Sequence, residues 1–220
     1  MDIEKNMDNF SEGVGSPATN HISLFGEIAT DLTFSHDSFG EGFYAFDISV
    51  PRLSQTYDLL PVIISERLLE GSKFVKNEII EIEGQIRSYN NYIEEEARNR
   101  LVLTVFTKDY NFCEEPTKPS PNEVFLDGFI CKPPIYRTTP FGREIADVLL
   151  AVNRSYNKSD YIPCIAWGRN ARFVSKLSVG DNIKIWGRMQ SRLYQKKLDN
   201  EELVEKTAFE VSVSRIESKS

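Results

Sequence analysis

Little in this chain of 220 residues could hold a metal or a disulfide framework. Three cysteines, Cys113, Cys131 and Cys164, show no C-x-x-C spacing, and only two histidines occur, His21 and His36. An odd cysteine count excludes a fully paired framework, and the ligands for a Cys/His zinc site are missing. No metal or cofactor is expected, and a reducing, cytoplasmic setting is the expectation. No apolar run approaches the roughly 18 residues of a membrane span, so no membrane partner is expected. The first twenty residues are polar and acidic, without the apolar or Arg-rich pattern of a targeting signal. No GxxxxGK[ST] phosphate cradle occurs. Neither histidine sits in a motif with a Ser or Cys nucleophile. Asp127, Glu144 and Asp147 are scattered where a nuclease would cluster carboxylates. The chain does not read as an enzyme.

What is present is an ordinary globular composition, 40% hydrophobic and 27% charged, with an uneven charge distribution. Residues 1–19 carry four acids and one lysine, a net −3. Residues 20–116 carry 17 acids and 8 basic residues, a net −9. Residues 117–220 carry 17 basic residues and 12 acids, a net +5. An overall charge of −7 therefore hides a basic half, and that half is the one able to meet a polyanion.

The chain also repeats itself. Asn20-His-Ile-Ser-Leu-Phe-Gly26 returns as Asn122-Glu-Val-Phe-Leu-Asp-Gly128, a shift of 102. Phe39-Gly40 returns as Phe141-Gly142, and Asp58-Leu-Leu-Pro-Val-Ile63 as Asp160-Tyr-Ile-Pro-Cys-Ile165, at the same shift. Ile80-Glu-Ile-Glu-Gly84 returns as Ile183-Lys-Ile-Trp-Gly187 at 103. A near-constant shift over four patches means two copies of one module. The expected division is a disordered segment 1–19, a first module 20–112, a Pro-rich linker 113–121 and a second module 122–217.

Each module reads as β-rich. In the second, 123–128 alternates with Val124 and Leu126 on one face, and 145–152 is a longer strand. Ile162, Cys164 and Ala166 share one face, opposite Tyr161, Pro163, Ile165 and Trp167. A brief helix is expected over 170–176, a strand over 181–187 and a closing strand over 206–215. Five strands and one short helix predict a small, partly open Greek-key barrel, the OB-fold, twice in tandem.

The second module carries Asn122, Val124, Leu126 and Gly128, then Thr139-Pro-Phe-Gly142, Ala146 and Leu150-Ala151. The run Tyr161-Ile-Pro-Cys-Ile-Ala-Trp-Gly168-Arg-Asn-Ala follows, then Leu177, Gly180, Ile183, Ile185 and Gly187, then Ser191-Arg-Leu-Tyr194. On these residues the module resembles the bacterial single-stranded DNA-binding protein family. The resemblance implies binding of single-stranded DNA by stacking bases on Tyr156, Tyr161, Trp167 and Tyr194. It also implies service in replication, recombination or repair, with replication or repair proteins as partners. Because four barrels are the family's usual unit, it implies a homodimer of two-module chains. Its Gly/Gln-rich, acidic, Phe-ended tail has no counterpart in residues 215–220.

Stacking has an independent reason here. Every base offers a π-face, so aromatics bind single strands without sequence preference. Tyr161 and Trp167 lie six residues apart on one strand, hence on one face and about 20 Å apart. Cations interleave with these aromatics and can track phosphates: Arg137, Arg143, Arg154, Arg169, Arg172, Arg188, Arg192 and Lys196. The acidic loop 198–205 opposes any wrapping beyond Tyr194.

In the first module the four aromatic positions become Ser54, Leu59, Ser65 and Asn91, although Tyr89 and Tyr92 flank the last. Glu94-Glu-Glu96 occupies its long hairpin loop and would repel a polyanion. That module is expected to be structural or to bind a partner protein. The alternative reading of the whole chain is a protein-interaction scaffold of OB-folds without DNA binding. The aromatics and arginines of the second module argue against it.

Overall fold

The structure is a computed structural model and describes residues 19–93, 98–197 and 203–218. The segment 1–18 and the loop residues Glu94-Glu-Glu96 lie outside the described residues, as does most of the loop 198–205. Among the described residues the regular structure is almost entirely β. The first half contributes β1 (Asn20–Ile28), β2 (Thr33–Ser38), β3 (Glu41–Pro51), β4 (Tyr57–Ser65), α1 (Glu66–Leu69), β5 (Ile79–Ile93) and β6 (Arg98–Phe112). The second contributes β7 (Asn122–Ile130), β8 (Ile135–Thr138), β9 (Glu144–Arg154), β10 (Lys158–Trp167), α2 (Arg169–Val174), β11 (Asn182–Lys197) and β12 (Leu203–Ser218).

The strands follow the order β2-β3-β4-β6-β5-β1-β7-β11-β12-β10-β9-β8, which reads alike from either end. β1 also pairs with β3, and β7 with β9, so the strands of each half curl back on themselves. Parallel pairing of β4 with β6, and of β10 with β12, completes each closure. The two curled sheets share one seam, where β1 runs antiparallel to β7 with Ile22 opposite Val124.

Registers repeat as the sequence does. Trp167 faces Ile145 as Ser65 faces Phe43, both at a shift of 102. Register slips by one residue at Trp186/Gly187 and at Glu83/Gly84, a shift of 103. Each slip marks a bulge that bends a long strand around the barrel. The glycine there is a steric requirement. A Cβ on Gly187 would stand 2.3 Å from the carbonyl oxygen of Ser212, and on Gly84 2.4 Å from that of Phe106. Backbone cannot step aside as a side chain can, so Gly187→Ala is expected to destabilise by about 1–3 kcal/mol. The urea midpoint should fall with an unchanged slope.

Alternation builds the core. On β10 the inward residues Ile162, Cys164 and Ala166 are buried, and Leu126, Leu150, Ile183, Ile185 and Val211 meet them. Leu24, Ile48, Leu60, Val62, Ile82 and Val105 do the same in the first half. Among the described residues each half has six strands where the sequence pattern suggested five. The additional ones, β2 and β8, form short hairpins with β3 and β9. All four residues of β8 are exposed, so no apolar periodicity announces it.

Segment 113–121 has no regular structure and lies along the first half. Thr117 hydrogen-bonds to Glu81, Lys118 pairs with Glu83, and the Phe25 amide donates to the Pro121 carbonyl at 2.9 Å.

Candidate nucleic-acid interface

β10 sets the site. Its inward residues are buried by the barrel, so a strand period of two must present the alternate residues outward. Tyr161 is 45% exposed and Trp167 39%, against 0% for Ile162 and Ala166. The pairing β8–β9–β10 puts Arg137, Ile145 and Trp167 in one row across the sheet. Directly opposed residues share a face, so Arg137 and Trp167 belong to the same surface. Tyr161 stands at the other end of that face, opposite Ala151.

The ends of β10 carry the remaining groups. Before it, Tyr156 sits in a one-turn 3-10 helix at φ 62°, a left-handed conformation that costs a non-glycine residue about 1–2 kcal/mol. The ring stands almost fully in solvent. After β10, Gly168 turns the chain at φ 51° into α2, and its amide donates to the Glu144 carbonyl at 2.9 Å. That turn gathers Arg169 and Arg172 beside the β8–β9 hairpin that bears Arg143. Arg172 pairs with Glu144 at 3.1 Å, and Arg137 forks onto Asp147 at 3.0 and 3.2 Å. Among the described residues, the side chains of Arg143 and Arg169 have no ion pair.

The other predicted residues lie elsewhere. Tyr194 is on the long β11–β12 hairpin, opposite Lys206, with the Arg192 guanidinium 5.9 Å from its ring centre. Arg192 also pairs with Glu210 at 3.5 Å. Lys196 follows on the same strand opposite Val204, and its side chain falls outside the described residues. Arg154 and Arg188 turn toward the seam between the halves. Arg154 lies 3.6 Å from Asp160, and Arg188 3.4 Å from Asp58.

Those two carboxylates are a feature that sequence reasoning missed. Asp160 and Asp58 are 0% and 1% exposed. Asp160 accepts from Arg87 at 3.0 Å and from the Ser88 amide at 2.8 Å, both on β5 of the other half. Asp58 accepts from Arg52 at 2.7 Å and, across the seam, from the Ser191 amide at 2.6 Å. Its hydrogen bond raises the Arg52 pKa. Asp160 shares the inward face of β10 with Ile162, Cys164 and Ala166. A charge in phase with core residues is the sequence signal of a buried ion pair. The Ser88 hydroxyl also accepts from the Tyr161 amide at 2.7 Å, so the seam holds the strand bearing the outward aromatic. Phe141, 93% exposed in the turn beside Arg143, is a further unassigned aromatic, and the repeated Phe-Gly pair could have marked it.

In the first half, Leu59 is exposed where Tyr161 stands, and Ser65 is buried where Trp167 stands. The Ser65 hydroxyl accepts from the Arg67 amide at 3.1 Å and caps α1. That position now serves a helix start rather than a surface.

Curled, bulged Greek-key sheets of this kind are OB-folds. The family model described as "Single-strand binding protein family" matches residues 121–218. Single-stranded DNA-binding protein 1 of Staphylococcus aureus (strain COL) is 41% identical over 81 residues, 34% of this chain and 48% of that protein. Single-stranded DNA-binding protein B of Bacillus subtilis (strain 168) is 35% identical over 81 residues, 72% of its length. The chain spans about half the length of the first of these relatives. The wild-type single-stranded DNA binding protein from Thermus aquaticus shares the fold, with a TM-score of 0.68 and 20% identity over 91% of this chain and 93% of that one. The chain belongs to the single-strand binding protein family.

Proposed function

We propose that this chain binds single-stranded DNA without sequence preference on the outward face of β10. The observation that carries the reading is the contrast between two equivalent strands. β10 presents Tyr161 and Trp167 to solvent, whereas β4 has Leu59 and Ser65 at the same positions. Bases stack on Trp167 and Tyr161, with Tyr156 and Tyr194 extending the path at either side. Arg143, Arg169, Arg172 and Arg137 lie where a backbone would pass Trp167, and Arg192 accompanies Tyr194. Arg172, Arg137 and Arg192 hold carboxylates at present and would exchange them for phosphates. Arg154 and Arg188 contribute through the seam rather than through DNA.

The modules 20–112 and 122–217, joined by 113–121, thus divide the labour: the second binds DNA and the first supports it. Two chains pair to give four barrels, and the protein serves replication, recombination or repair. Fluorescence anisotropy of a labelled oligo-dT across a salt series tests the binding. Affinity should fall with salt, with a log–log slope of about −0.7 for each phosphate contacted on a single strand. No binding at low salt would sink the reading and favour a scaffold.

A further inference from the structure

The first half turns a different surface outward at the place where the second half presents its aromatics. β4 alternates, and its outward residues are Tyr57, Leu59, Pro61 and Ile63. Tyr57 and Leu59 are exposed, and the face is apolar along the strand. Its neighbour β3 sets Pro51, Ser49, Asp47 and Ala45 opposite Tyr57, Leu59, Pro61 and Ile63. Cross-strand partners share a face with Cβ atoms about 4.5–5.5 Å apart, so Asp47 stands beside Pro61 on the same face as Leu59 and Ile63. Its equivalent in the second half is Leu149, opposite Pro163.

The Asp47 backbone amide donates to Thr30 Oγ1 at 2.8 Å and its carbonyl accepts from Ala29. Among the described residues its carboxylate has neither a hydrogen bond nor an ion pair. Burial raises its pKa. An unpaired carboxylate among apolar neighbours is costly until a cation meets it. Beyond Ile63 lies Phe43, buried under His36, whose ring stacks on it with ring centres 5.0 Å apart. Glu41 at that end pairs with Arg67 at 3.1 Å and Asp37 stands opposite Gly42, in a half whose net charge is −9. A polyanion is repelled here, and a basic ligand with apolar side chains is matched.

We propose that the outward face of β4, with Asp47 at its centre, docks a basic segment of a partner protein. A lysine or arginine meets Asp47, and flanking apolar side chains lie along Leu59, Pro61 and Ile63. β4 pairs with β3 along its length and with β6 at Val62 and Ile63, and the segment lies on the outward face rather than extending the sheet.

The test uses the full chain as bait for a displayed library of random twelve-residue peptides. Enriched peptides are then synthesised and titrated against wild type, Asp47→Asn and Leu59→Ser. Enriched peptides should carry Lys or Arg beside apolar residues. Asp47→Asn should weaken them about tenfold while leaving oligo-dT affinity unchanged. The folded state takes up a proton on Asp47 more readily than the unfolded chain does. The carboxylate therefore lowers stability as pH rises through its range, and Asn removes that cost, so the variant folds. Leu59→Ser, at an exposed site, checks the apolar contact independently. No enrichment, enrichment of neutral or acidic peptides, or binding indifferent to both variants overturns the proposal. Displacement of the peptides by oligo-dT would assign the face to the DNA path instead. Loss of self-association in Leu59→Ser would assign it to a second copy of the chain.

Discussion

Replacing Trp167 by alanine is expected to weaken oligo-dT binding by about 1–3 kcal/mol, roughly 5- to 150-fold. The indole is 39% exposed, so truncation removes a stacking platform without opening the core, and the melting temperature should stay close to wild type. Its row partner Ile145 is only 2% exposed and will be partly uncovered, a small cost in stability that affinity does not see. Tyr161→Ala should give a smaller loss of the same kind. The two rings are about 20 Å apart, too far for one base to touch both, and sites that far apart add. The double variant should therefore lose close to the sum of the two single losses. Leu59→Ala, at the equivalent of Tyr161, is the control and should leave oligo-dT affinity unchanged. If Trp167→Ala binds as tightly as wild type, bases do not stack on β10 and the site must be sought on the β11–β12 hairpin.

The strand period made this face legible. Ile162, Cys164 and Ala166 are core residues in the sequence pattern and in the fold, so Tyr161 and Trp167 had to face outward. The duplication was legible too, because glycines and buried aliphatics recur where strands cross. A Cβ on Gly26 or Gly128 would stand 2.3 or 2.5 Å from the carbonyl oxygen of Ser49 or Ala151, which are themselves 102 residues apart. What the sequence could not reveal were partners distant along the chain. Arg188 reads as one more cation beside an aromatic, and only the seam brings it to Asp58, 130 residues away. Arg154 reads likewise, although the β9–β10 hairpin sets it beside Asp160. β8 escaped because a strand exposed along its whole length leaves no apolar pattern to read.

The seam supplies the other large effect. Asp160→Ala is expected to destabilise the chain by about 3–5 kcal/mol, since it strands the guanidinium of Arg87 in a partly buried place and leaves the Ser88 amide unsatisfied. Arg87 keeps 22% of its side chain in solvent, which argues for the lower end of that range. Asp58→Ala should cost a similar amount, because Arg52, Arg188 and Ser191 surround it as Arg154, Arg87 and Ser88 surround Asp160. Urea unfolding would measure both, and a loss under about 1 kcal/mol in each would mean that the carboxylates are dispensable. The double variant separates two pictures of the seam. If the sites act independently, the losses add. If the first substitution already parts the halves along β1 and β7, the second finds nothing left to break, and the double variant loses less than the sum. Asp160→Ala should also weaken oligo-dT binding modestly in conditions where the chain remains folded. The hydrogen bond from the Tyr161 amide to Ser88 depends on the β5 segment that Asp160 anchors, so loosening the seam loosens the strand that carries the ring.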